Sequence, residues 1–237
     1  MLSPKEELED IISNGIVLDI FEAEQALALE SLIGINAAAI NEQKFGSLFG
    51  SLQVILAKCF ILAVTRLYEK PNPRYRIRSI PEALKVLEKY AKEFDIKRKS
   101  IVIGKLEELG YDVGQLQKMS DVDLTLKIVK HFSENLPQSL ISEAGMPRAL
   151  NALKTIRDKA IAHREAIEVS GLKIPSYAKI DQLIDLSIKF VIIVGNGYLG
   201  INYEVDSRYF HTSEAKRASR SLRRLLVKAG VLQDGKE

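Results

Sequence analysis

The sequence predicts an all-α fold, an antiparallel bundle of long helices. Three observations predict it. Apolar residues recur at spacings of three and four along nearly the whole chain. No run sustains the apolar–polar alternation of a half-buried strand. The interruptions carry helix-capping or helix-ending chemistry.

The elements follow in order. From Glu6 to Ile33 the apolar period is helical, with Asn14-Gly15 as its one break. A second segment, Ala37 to Glu69, places Phe45, Leu48, Leu52, Ile55, Leu56, Phe60 and Leu67 at helical spacing. Pro71 and Pro73 end it, because proline lacks the N–H and forces its predecessor out of helix. Ser79 and Glu82 read as a capping box, starting a helix that runs to Phe94 with Ala83, Leu84, Leu87 and Tyr90 on its apolar side. Lys97-Arg98-Lys99 opens a helix ending at Gly110, and Ser120 opens another bearing Leu124, Ile128, Val129 and Phe132. Helices then follow Pro147 as far as His163 and Pro175 as far as Val194. The last runs from Glu214 to Ala229.

Composition bounds what such a bundle does. The 237 residues are 46% apolar and 27% charged, enough for a sizeable core in one large domain or two small ones. Thirty-four Lys+Arg against 31 Asp+Glu give +3, too balanced for wholesale coating of nucleic acid. Cys59 is alone in an apolar run, which excludes a disulfide framework and a thiolate cage and reads as a small buried hydrophobe. His131, His163 and His211 are far apart and lack metal-site spacing, so no metal and no cofactor is expected. His131, on a Lys-rich helix, reads as half-exposed. No G-x-S-x-G nucleophile turn occurs. The acidic start Met1 to Glu7 lacks a signal-peptide pattern, and the run Val54 to Val64 contains Lys58 and falls short of the roughly 20 residues of a span. The expected setting is the cytoplasm, without a membrane.

The last helix has its own charge. From Glu214 to Glu237 seven bases oppose three acids, a local +4 that leaves the remainder at −1. Ala218, Leu222, Leu225 and Ala229 form the expected docking stripe, and Arg217, Arg220 and Arg224 are candidates for contacting phosphates.

Gly195-Asn196-Gly197-Tyr198-Leu199-Gly200 fits the dinucleotide fingerprint G-x-G-x-x-G. That fold needs a helix to start within the motif so that its N-terminus meets the pyrophosphate. Ile201 to Asp206 do not read as a helix, and only 37 residues remain. A helix ending in a glycine-terminated loop explains the same letters.

The chemistry concentrates in Arg157-Asp158-Lys159-Ala160-Ile161-Ala162-His163-Arg164. Leu153, Ile156, Ala160, His163 and Ile167 are spaced three-four-three-four, so His163 shares the apolar seam, as a core or interface histidine also would. Six residues of ideal α-helix separate Arg157 from His163 by about 240° and roughly 9 Å, so the two address one atom only where the helix loosens. A two-fold pairing of the seam would instead bring two of each around one groove.

Arg157 and His163, with Asp158 after the arginine, Ala162 before the histidine and the helical frame around them, resemble the R-x4-6-H motif of the HEPN superfamily, in its abortive-infection U-type branch. The resemblance covers residues 37–200. It implies an antiparallel HEPN-type bundle with extra helices and a basic C-terminal helix. It divides the chain into an N-terminal helical segment (1–36), the HEPN-like domain (37–205, with 97–135 as inserted or additional helices) and the basic helix (206–237). It implies a metal-independent endoribonuclease of toxin or phage-defence type, with RNA as substrate and a homodimer cleft as the site. An antitoxin or defence-system partner is implied as well. In that reading His163 moves a proton, Arg157 grips the phosphate, Asp158 orients either group, and Lys159 and Arg164 hold flanking phosphates. Arg164-Glu165 stands where related toxins carry a modifiable tyrosine, which argues against that mode of silencing. The alternative implied is a non-catalytic HEPN module that binds RNA or nucleotide and dimerises. A purely structural dimer with His163 buried is the third reading.

Overall fold

The N-terminal helix is longer than its sequence break suggests. A computed structural model describes residues 2–137, 145–162, 175–205 and 208–233. Helix α1 (Pro4–Ile11) opens with a full capping box, Ser3 Oγ accepting the Glu6 N–H while the Glu6 carboxylate accepts the Ser3 N–H at 2.8 Å. Asn14-Gly15 does not end the helix. It sits in a π-helical turn (Ile12–Ile16) that leads directly into α2 (Val17–Ile35). Glycine is required there because a Cβ on Gly15 would lie 2.2 Å from the Cβ of Arg78, whose guanidinium pairs with Asp10 at 3.0 Å.

The segment expected to be continuous from Ala37 to Glu69 is two helices, α3 (Ala37–Glu42) and α4 (Gly46–Leu67). The chain reverses between them at Lys44, whose φ is 62°, and Gly46 passes so close to Asn41 that a Cβ would meet its Oδ1 at 2.1 Å. After the proline loop comes α5 (Ile80–Lys89), which ends before Phe94. Ser79 caps it, but the box is half made. Glu82 turns to Lys85 at 3.2 Å, and the Ser79 hydroxyl donates to the Glu69 carbonyl at 2.8 Å.

Next come α6 (Lys99–Glu108), the short unforeseen α7 (Val113–Gln117) and α8 (Asp121–Asn135), the last capped by Ser120 as its sequence predicts. Then α9 (Gly145–Ile156) runs into a second π-helical turn (Arg157–Ala162). Helix α10 (Tyr177–Val194) ends through a third π-turn (Gly195–Leu199), with Gly200 left-handed at φ 73°. The G-x-G-x-x-G letters are therefore a helix end. A Cβ on Gly195 would lie 2.4 Å from the Tyr203 ring, and one on Gly197 2.7 Å from Val102. A hairpin too short for alternation to announce, β1 (Glu204–Val205) with β2 (Arg208–Tyr209), precedes α11 (Phe210–Lys228). Helix α11 starts before the expected Glu214, and His211 in its first turn is ringed by Phe21, Tyr203, Tyr209 and Phe210.

These helices form one bundle. Helix α2 packs along α4 and α11, α9 against α10 and α4, and α5 against α8 and α1. Leu8, Ile20, Val64, Leu67, Phe132, Leu153, Leu183 and Phe190 are among its buried residues. At its centre the buried Tyr68 hydroxyl donates to the Leu183 carbonyl and lies 3.0 Å from Ser187 Oγ. Two expected contacts differ. Helix α11 docks by Ala215, Leu222 and Leu226, which leaves Leu225 60% exposed, and Cys59 is half-buried against the core. His131 is half-buried as expected, and its Nδ1 meets the Tyr111 hydroxyl at 2.9 Å.

Candidate functional site

Arg157 stands where α9 meets the end of α4. Leu153 and Ile156 are buried on the seam and fix the face that α9 presents. The last carbonyls of a helix have no partner within it. Just past the end of α4, Lys154 Nζ donates to the carbonyl of Tyr68 at 3.1 Å and Ser79 to that of Glu69. These bonds set the Glu69 carboxylate against the Arg157 guanidinium, in a close ion pair through Nη1, while Nε donates to Asp158 at 2.7 Å.

Arg157 is only 20% exposed. Burial draws its pKa down, but Asp158 and Glu69 outweigh that and hold it above its ordinary value. Burial, aided by repulsion from Arg157 and Lys70, draws the Lys154 ammonium below its own. Two cations and two carboxylates thus face one another, with remaining guanidinium N–H groups free of these two bonds.

The Arg157–Ala162 turn is bonded i→i+5, a π-helical turn. His163 and Arg164 lie outside the described residues, as does Ile167. Asp158 and Lys159 are exposed beside Arg157.

A shallow groove of about 430 Å³ adjoins, lined by Asn14, Asp19, Arg66, Glu69, Arg76 and Arg78 among others. In it Arg66 Nε donates to Asp19 at 2.8 Å and Nη2 pairs closely with Glu22. Burial pushes the Asp19 carboxyl up to about 6 despite Arg66, against an ordinary value of 3.8. The folded state therefore binds this proton more tightly than the unfolded state. The stability it contributes is present below about pH 4 and is lost as the pH rises towards 6. Asp19→Asn is expected to remove this loss. Urea unfolding should show the fall in stability from pH 4 to 7 shrinking by about 2–3 kcal/mol in the variant.

The α11 arginines are not gathered at Arg157. Arg217 pairs with Glu214 at 3.4 Å, Arg224 donates to Ser221 at 3.2 Å, and Arg220 donates to the Ser213 carbonyl at 2.8 Å. Helices α2 and α4 stand between α11 and α9 in the packing order. Glu69 was missed by sequence reasoning. It lies 88 residues from Arg157, and the only local signal was its place between the end of a long helix and a proline.

A helical bundle with a charged cluster around Arg157 on a π-helical turn defines a mostly helical protein. A family model for AbiU2 of the HEPN group matches residues 23–222, and the chain belongs to the HEPN AbiU2 family. It is accordingly an abortive-infection HEPN protein. No curated protein and no solved structure matches it.

Proposed function

We propose that the chain is a metal-independent endoribonuclease of toxin or phage-defence type, working in the cytoplasm as a homodimer, with an antitoxin or defence-system protein as a further partner. The observation that carries the reading is Arg157, part-buried and aimed by Glu69 and Asp158 on the π-turn that leads to His163. Arg157 grips the scissile phosphate and offsets its growing charge as the 2′-oxygen attacks phosphorus. His163 takes the 2′-hydroxyl proton or gives one to the departing 5′-oxygen. The phosphorus–5′-oxygen bond breaks, leaving a 2′,3′-cyclic phosphate and a 5′-hydroxyl. Lys159 and Arg164 hold flanking phosphates.

The homodimer has a surface to use. Phe45, just before α4, and Leu48, Leu52 and Ile55 on one face of that helix are exposed, at 42%, 58%, 36% and 55%. Among the described residues α4 is the one helix long and apolar enough to cross a membrane. Its second half, however, is built into the core through Phe60, Ile61, Val64 and Leu67. A second copy of the chain is therefore the proposed cover for the first half.

The test is incubation of purified protein with total RNA and transfer RNA in excess EDTA, beside His163→Ala. Cleavage that persists in EDTA and vanishes in the variant is the expected result. RNA that is bound but left intact by both proteins would favour the non-catalytic module.

A further inference from the structure

Helices α10 and α11 each pack against α2 but not along one another, and an open groove of about 1320 Å³ lies between them. All three helices turn one face to it. On α2 that face is Glu24, Leu27, Ala28 and Ser31, and on α10 it is Tyr177, Asp181, Ile184 and Ile188. On α11 it is Ser213, Lys216 and Arg220. These spacings of three and four are those through which one helix meets another.

The groove is apolar at its floor and along its rim. Leu27 and Ile184 are buried beneath it, while Tyr177, Val205 and Phe210, which also line it, are 48%, 53% and 51% exposed. Large apolar side chains left open to water in a concavity mark a place where another molecule docks.

Its charges are divided between the walls. Asp181 and Asp185, one turn apart on α10, are joined by Glu24 of α2. Lys216 and Arg220, one turn apart on α11, are joined by Arg208 of β2. Asp181, Asp185, Lys216 and Arg208 are in no salt bridge among the described residues. Burial, with repulsion from Asp185, raises the Asp181 carboxyl, and Lys216 draws it part of the way back. The two carboxylates thus repel one another and lack a close cation.

These features select an occupant. A polyanion such as RNA would meet like charge on the acidic wall, and a flat lipid surface does not enter a concavity. A helix laid between α10 and α11 meets all of them. Its apolar face covers the floor, cations along one edge reach Asp181 and Asp185, and carboxylates along the other reach Lys216 and Arg220. The size agrees as well. Tyr177 to Ile188 span roughly 16 Å of α10, and a helix of that length about 10 Å wide fills roughly 1300 Å³.

We infer that this groove is the docking site for an amphipathic helix of a partner protein. That helix is apolar on the side facing α2, basic on the edge over α10 and acidic on the edge over α11. The inference goes beyond the nuclease reading and is tested without cleavage, so the two fail separately.

The experiment is an anisotropy titration of the full chain with three synthetic helices of about 14 residues, stapled because so short a helix is marginal in water. All three carry the same leucine stripe. One has lysines on one edge and glutamates on the other, the second lysines on both, and the third glutamates on both. The mixed helix is expected to bind about fivefold or more tighter than either of the others. Asp181→Lys with Asp185→Lys should move the preference to the all-glutamate helix, and Lys216→Glu with Arg220→Glu to the all-lysine helix. Both variants should unfold at the temperature of the parent. Methyl NMR of the parent should show Leu27, Ile184 and Ile188 shifting as the mixed helix is added, while Leu48 and Ile55 of α4 stay in place. No saturable binding of the mixed helix, equal binding of all three, or a preference that survives both charge reversals would overturn the proposal. A change of oligomeric mass in either variant would give the groove to a second copy instead, and displacement of the helix by RNA would give it to RNA.

Discussion

Arg157→Ala is expected to abolish RNA cleavage, with kcat falling by about 10²–10³-fold, while helicity and oligomeric mass stay as they are. The loss follows from what the side chain is for. A part-buried guanidinium whose Nε and Nη1 are already committed to Asp158 and Glu69 is fixed in direction before substrate arrives. Its remaining donors meet a phosphate without further ordering. Arg157→Lys keeps the charge but loses the fork, and should recover only part of the rate. Glu69→Gln separates positioning from charge. It removes one of the two carboxylates that neutralise Arg157, so RNA binding should tighten several-fold and grow more salt-dependent while kcat falls. Binding and single-turnover rates at two salt concentrations measure both effects. A Glu69→Gln protein with unchanged binding and unchanged rate would show that the ion pair is incidental to catalysis.

The helices were legible because burial imposes a period and because serines, prolines and glycines mark ends by local chemistry. Ser79 and Ser120 cap where expected, and Gly200 takes the left-handed turn that makes its motif a helix end. The π-turns were not legible as such. One inserted residue barely disturbs an apolar stripe, so Asn14-Gly15 reads as a break when the chain only widens. The reversal at Lys44 depends on long-range placement of α3 and α4, and the hairpin at Glu204–Tyr209 is too short to alternate. At the site, Arg157 and Asp158 were legible as neighbours in sequence. Glu69, Lys154 and Ser79 join them only through the packing of α9 and α5 on the end of α4. The same limit concealed the docking register of α11, where Leu225 and Leu226 have the same apolar character and only the neighbouring Ile33, Ile40 and Phe49 decide between them.

Leu52→Glu combined with Ile55→Glu is expected to convert the proposed dimer to monomer, seen as a halving of mass by light scattering, and to remove cleavage with it. The two positions are 36% and 55% exposed, so the monomer should keep its fold and unfolding temperature. In a dimer each would carry a buried charge without a partner, which association cannot bear. Activity should fail because of where the face lies. Leu52 is roughly 22 Å along α4 from Leu67, whose end of the helix adjoins Arg157. A two-fold axis running along α4 sets both Arg157 sites at one end of the dimer. An axis perpendicular to α4 at Leu52 would hold those helix ends roughly 45 Å apart, too far to share one phosphate. The shared cleft therefore requires the parallel arrangement, and Leu48→Cys tests it directly. Parallel packing brings the two introduced thiols together for oxidation to a disulfide, whereas antiparallel packing about Leu52 parts their Cα atoms by roughly 12 Å, beyond disulfide reach. A monomeric double variant that still cleaves RNA would place the whole catalytic apparatus within one chain.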